Sequence, residues 1–220
     1  MIVAIDGTVS SGKSTIAKRL AEHLDFLYCN TGSIYRAITI KILERGMENA
    51  TPEEIFNCLQ RTVIAMGKGE NGRIEVFLDG KDVTDEIRTP RISQSVATYS
   101  KIPQVREFVR HAQTQIANSG DSVIEGRDIG TVVFPNAEVK IFMTADVNVR
   151  AKRRHNDYLK QGKDLTFEAV KQEIVARDKE DMERPISPLK PAEDAIIYYN
   201  DGDNIGKVIE DLAKIVNERK

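Results

Sequence analysis

Apolar and polar positions along this chain follow two rhythms. Short unbroken apolar runs occur at MIVAI (residues 2–6 read as a strand), FLYCN (26–30), SVIEG (122–126), VKIFMTA (139–145) and AIIYY (195–199). Their length suits strands buried on both faces of a sheet. Between them apolar residues recur every three or four positions, which predicts helices over 13–24, from Thr31 or Ser33 to Gly46, from Thr51 onward, over 89–117 with a break near Pro103, and over 146–161, 166–184 and 204–218. Thr51 followed by Pro52 is a cap with proline at the first helical position.

The rhythm switches in TVIAMGKGENGRIEVFLDGKDVT, residues 62–84. Strand-like runs there are punctuated by Asn71-Gly72 and Asp79-Gly80, both strong hairpin signals. The pattern predicts a small antiparallel meander inserted into an α/β order. Strands alternating with helices elsewhere predict a parallel sheet with helices on both faces. In such a sheet a ligand belongs at the carboxyl ends of the strands.

Composition narrows the function classes. With 220 residues, 40% hydrophobic and 30% charged, the chain suits one α/β domain with an inserted lobe. A net charge of -2, no tryptophan and 6% aromatics argue against a nucleic-acid or membrane partner. No run of about eighteen apolar residues is present, and the opening residues lack a basic segment before an apolar one. Cys29 and Cys58 form neither a metal pattern nor a disulfide framework. The expected setting is a reducing cytoplasm. Loops and termini that read as solvated point to a monomer.

The first apolar run leads into Gly7–Ser14, GTVSSGKS, which fits G-x4-G-K-[ST]. Glycines there permit close backbone approach, and a following helix presents unsatisfied N–H groups to an anion. Lys13 suits the β and γ phosphates of a nucleoside triphosphate, and the Ser14 hydroxyl suits Mg2+. Gly7, Thr8, Val9, Ser10, Ser11, Gly12, Lys13, Ser14 and Thr15 are the candidate ATP contacts.

Residues just after each strand supply the other candidates. Thr31, Tyr35 and Arg36 follow the second strand, and Arg127 and Asp128 follow SVIEG. Arg106 lies in PQVRE, Arg150 and Arg154 form an i, i+4 pair, and Arg177, Asp181 and Arg184 share one helical face by spacing. Guanidinium groups pair with phosphate bidentately and keep their charge. Arginines at several stations of one cleft suit transfer between two anions.

GTVSSGKST, NTGSIYRA, VFLDGKDVTDEIR, PQVRE, EGRDIGTVVFPNAEVKIFMTA and ARDKEDMERPISPLKPAEDAI together resemble the bacterial cytidylate kinase family, nearly end to end. The phosphate loop alone is widely shared, whereas the GRDIGTVVFP and TGSIYR blocks are specific. The resemblance implies a P-loop nucleoside monophosphate kinase fold: a core at about 1–30, 119–150 and 185–220, a monophosphate-binding lobe with an antiparallel insert at about 31–118, and a mobile helical lid at about 151–184. It implies a transferase of pyrimidine metabolism that passes the γ-phosphate of ATP to CMP or dCMP with Mg2+. Thr31, Tyr35, Arg36, Arg106, Arg127, Asp128, Asp181 and Arg184 would then surround the acceptor nucleotide. Lys13, Arg127 and Arg177 would act in transfer, and Arg150 and Arg154 would serve the donor from the lid. Near Ala97 many family members have a serine that contacts the cytosine and this chain has none; the resemblance leaves Ser95, Thr98 or a water to take its place. No N-K-x-D guanine motif occurs, which argues against a GTPase switch.

Overall fold

The apolar runs are the strands of a computed structural model of the chain, which describes residues 1–69, 74–202 and 204–220. The N-terminal run forms β1 (Ile2–Gly7). It lies between β6 (Ser122–Glu125) and β7 (Val139–Thr144), and runs parallel to both. β8 (Ile196–Tyr199) pairs parallel with β7, and β2 (Leu27–Asn30) forms the opposite edge, giving the order β2-β6-β1-β7-β8. Val3 is in register with Val123 on one side and Val139 on the other. Such a central strand has no polar face, which is why its apolar run is unbroken until Asp6.

Two compact units make up the chain, residues 1–28 with 120–220, and residues 29–119. In the first, α1 (Lys13–Leu24) and α8 (Ile205–Asn217) pack on the sheet through Ile16, Leu20, Val208, Leu212 and Val216. Burying each such aliphatic side chain is worth about 1.5–3 kcal/mol. β8 is an edge strand and shows it, with Ile197 and Tyr199 exposed. The same unit carries α6 (Val147–Lys160) and α7 (Phe167–Glu183), joined by a cluster of Ala151, Tyr158, Val170 and Ile174.

The second unit contains α2 (Thr31–Glu44), α3 (Pro52–Leu59), α4 (Pro90–Tyr99) and α5 (Pro103–Ala117). Its antiparallel sheet has the order β3 (Ile64–Lys68), β4 (Ile74–Leu78), β5 (Lys81–Asp82). Asp79 and Gly80 both take positive φ, 51° and 82°, between β4 and β5, as the hairpin reading requires. The Asn71-Gly72 turn lies outside the described residues. One face of the sheet packs on α2 through Val76, Leu78, Ala37 and Ile40. Thr51 and Glu54 form a reciprocal capping box at α3.

The stretch 89–117 is two helices, with the expected break before Pro103, which opens the second. One helix reading needs adjustment. Arg184 stands just beyond α7 with ψ of 138°, because Pro185 follows it and a residue before proline is pushed out of the helical region. Arg177 and Asp181 therefore share a helical face, and Arg184 leaves it. Among the described residues, no helix is long and apolar enough to cross a membrane.

Candidate active site

The chain turns from β1 into α1 through a loop that two glycines make possible. Gly7 has φ of 148°, and a Cβ there would lie 1.8 Å from the Met143 carbonyl oxygen. Gly12 has φ of 93° and caps α1 without a side chain. The first turn of α1 contains no acid, so its N-terminal N–H groups and dipole are offered to an anion.

The loop is held from behind by α6, α7 and the end of β8. Asp178, buried on α7, accepts the Val9 N–H at Oδ1 (3.0 Å) and pairs through Oδ2 with Arg150. Arg150 in turn donates to the carbonyls of Val9 (3.1 Å) and Ala145 (2.9 Å). The Val9 side chain packs on the α6–α7 apolar cluster. Asn200 donates to the Ser11 carbonyl at 2.8 Å, and Arg153 donates to the Asn200 carbonyl at 2.8 Å and to Ser11 at 3.4 Å. Arg150 is thus a brace of the loop. Arg154 lies farther along α6, stacked 4.5 Å over the Tyr158 ring and 3.7 Å from Glu173.

Lys13 is buried and points into its own loop, donating to the Thr8 carbonyl at 2.7 Å. Burial, then the positive charge of Arg127, bring its ammonium down to about 7; Glu125, Asp6 and Asp181 oppose that shift. Asp6 ends the apolar part of β1 and accepts the N–H groups of Ile129 (2.8 Å) and Gly130 (2.7 Å). Burial raises its carboxyl to about 6 against those two hydrogen bonds, with Asp128 adding to the rise. Asp6 thereby fixes the single π-helical turn Ile129–Val133 that follows Arg127 and Asp128. Glu125, at the end of β6, accepts from Ser14 Oγ (3.0 Å) and Tyr28 OH (2.7 Å). An exposed hydroxyl beside a buried carboxylate is a hard oxygen pair of the kind Mg2+ takes.

Next to Lys13 stands a network of alternating charge. Asp181, 3% exposed at its side chain, accepts from Arg127 Nε at 2.9 Å and lies 3.4 Å from Arg177 Nη2. Arg184 lies 3.5 Å from the buried Asp128 carboxylate and donates to the Ser187 carbonyl. A deeply buried carboxylate thus holds two guanidinium groups at the loop after β6, as charge-assisted bonds do. Within this unit the structure brings together Lys13, Ser14, Arg127, Asp128, Arg177, Asp181 and Arg184.

The other candidates belong to the second unit. Thr31 opens α2 and is buried; Asn30 caps that helix by accepting the Ser33 N–H at 3.1 Å. Tyr35 and Arg36 are half-buried on its next turn, and the Arg36 guanidinium runs past Gly32, where a Cβ would approach Nη1 to 2.9 Å. Arg106 on α5 reaches the Ser100 carbonyl at 3.5 Å. Near Ala97, the Ser95 hydroxyl donates to the Arg91 carbonyl at 3.0 Å.

Sequence reasoning missed Asp6, Glu125, Arg153, Asp178 and Asn200. For two of them a signal existed. Asp6 in IVAIDG and Glu125 in SVIEG are single acids closing otherwise apolar strands, and a buried acid needs partners.

The family model described as Cytidylate kinase matches residues 3–218. A cytidylate kinase of Carboxydothermus hydrogenoformans is 42% identical over 219 residues, covering 100% of this chain and 98% of the relative. One of Anoxybacillus flavithermus is 43% identical over 217 residues, covering 99% and 96%. Among solved structures, an uncharacterized protein from Eubacterium ventriosum shares the fold at a TM-score of 0.53 and 16% identity, covering 100% of this chain and 99% of that one. A Thermus thermophilus protein does so at 0.53 and 15%, covering 100% and 98%.

Proposed function

The chain belongs to the cytidylate kinase family, and we propose that it transfers the terminal phosphoryl group of ATP to CMP or dCMP, giving ADP and CDP or dCDP. The observation that carries this reading is a glycine-bounded loop with a buried lysine, set beside two arginines held on one buried carboxylate.

The transfer is in-line and direct. An oxygen of the acceptor phosphate attacks the γ-phosphorus as the bond to the β–γ bridging oxygen breaks, and that oxygen leaves on ADP. The acceptor oxygen is already ionised, so no side chain needs to remove a proton. The loop amides and Lys13 hold the donor's β and γ oxygens where charge develops. Ser14 and Glu125 would hold Mg2+, which would neutralise part of the donor's negative charge. Arg127 stands with Arg177 beside the transferring group, and Asp181 keeps both aligned.

Thr31, Tyr35, Arg36 and Arg106 belong to the proposed acceptor set with Arg127, Asp128, Asp181 and Arg184. Asp128 offers an oxygen to the exocyclic amino group of cytosine, where uracil has a carbonyl. Residues 151–184 act as a lid, and the protein works as a monomer in the cytoplasm. Arg150 supports the donor indirectly, through the Val9 carbonyl and Asp178.

A coupled assay of ADP release against CMP, dCMP, UMP, AMP and dTMP tests the assignment. Turnover highest with CMP or dCMP supports it; a preference for AMP or dTMP replaces the acceptor while keeping the reaction class.

A further inference from the structure

We propose that the hollow between the C-terminal ends of α2 and α3 is a binding site for a small polyanion, a molecule with clustered phosphate or carboxylate groups. The cavity has a volume of about 710 Å3, within the range of small-molecule sites. It is lined from the second unit alone, and by none of the residues assigned above to phosphoryl transfer.

Its charge sets it apart. The chain as a whole is at -2, yet this lining carries Lys41, Arg45 and Arg61 and no carboxylate. Lys41 is buried and matched by Asp79. Arg45 and Arg61 are exposed, and neither guanidinium makes a hydrogen bond or close ion pair to a described residue; Arg45 acts on Asp79 only through its charge at longer range. Helix C-termini favour cations through their dipoles, which accounts for Lys41 in the last turn of α2. Arg45, the C-cap of α2, and Arg61, just past the C-cap of α3, stand at such ends too, so the dipoles account for their sign, while the cavity brings the two forks onto one hollow. Two planar forks matched to oxyanions do suit a ligand with two charged groups. Asn57 and Gln60 add neutral donors to the wall.

Cys58 lines the same cavity and is partly exposed, whereas Cys29 is fully buried. Alkylation of Cys58 is therefore a local readout, separate from the phosphate loop. The intact protein is treated with iodoacetamide over a titration of pyrophosphate or of citrate, and Cys58 modification is followed by peptide mass spectrometry. Saturable protection is expected. In Arg45→Gln/Arg61→Gln, and in Arg61→Gln alone as a second variant, the midpoint should rise at least about tenfold. Nucleotide turnover should stay near wild type in both. Protection by only one of the two anions assigns phosphate or carboxylate. No protection by either overturns the proposal, and so does protection equal in wild type and variants, which would trace it to the phosphate loop.

Discussion

Asp178 and Val9 lie 169 positions apart and are joined by one hydrogen bond, the Val9 N–H to Oδ1 at 3.0 Å. The other oxygen of the same carboxylate takes Arg150, which also grips the Val9 carbonyl. A helix pair thus sets the shape of a loop it does not belong to. Asp178→Ala leaves a buried guanidinium without its counterion, which costs about 3–5 kcal/mol. Urea denaturation should show that loss. Asp178→Asn, which keeps an acceptor for Val9, should retain more stability while the KM for ATP rises more than kcat falls. An unchanged KM for ATP in both variants would separate this brace from donor binding.

Lys13 gives a pH signature. Its ammonium is lowered from 10.5 to about 7 by burial, so the folded chain binds fewer protons than the unfolded chain between those values. The cost of burying the charge is fully present below about 7 and is relieved as pH rises toward 10.5. Lys13→Met should therefore stabilise the protein most in mildly acidic urea titrations, with the gain shrinking in alkaline ones. The reverse trend would contradict the burial argument.

The same group should charge when phosphate arrives. Calorimetry of ATP binding above neutral pH, in buffers of different ionisation enthalpy, should show proton uptake that Lys13→Ala lacks. That variant should also lose on the order of 10²–10³ in kcat at saturating ATP, as removal of a group acting where charge develops does. Near-normal turnover would exclude the proposed role.

Asp128 is buried and faces Arg184. If it reads the amino group of cytosine, Asp128→Asn should narrow the CMP-to-UMP ratio of kcat/KM by about tenfold, since a mismatched buried polar group costs about 1–3 kcal/mol. An unchanged ratio removes Asp128 from base reading.

Gly7 and Gly46 both have positive φ, 148° and 63°, yet they should respond differently to alanine. At Gly46 nothing lies within 4 Å of an added Cβ, so the cost is backbone strain alone, about 1–2 kcal/mol. At Gly7 the Cβ would enter the Met143 backbone, and β1 would have to part from β7. Soluble yield and melting temperature should show a modest shift at Gly46 and collapse at Gly7.

Much of the architecture was legible because local rules decide it. Apolar runs with no polar face become strands of a sheet covered on both sides, and Asp79-Gly80 reads as a hairpin because both residues must take positive φ. The phosphate loop was legible because its glycines and lysine are adjacent in sequence. Its supports were not, because Asp178, Arg153 and Asn200 meet the loop only after the sheet has formed. Arg150 illustrates the limit. Spacing marks it as a cation on a charged helix, but spacing cannot tell a phosphate ligand from a partner of Val9 and Asp178.

Asn200 and Ser11 are separated by 189 positions. During translation the loop leaves the ribosome long before Asn200, a support 189 positions downstream, is synthesised. A nascent chain stalled before that asparagine would expose the nucleotide motif without its finished geometry. Grip on ATP should then appear abruptly once Asn200 has emerged, a timing that stalled ribosome complexes of graded length can resolve.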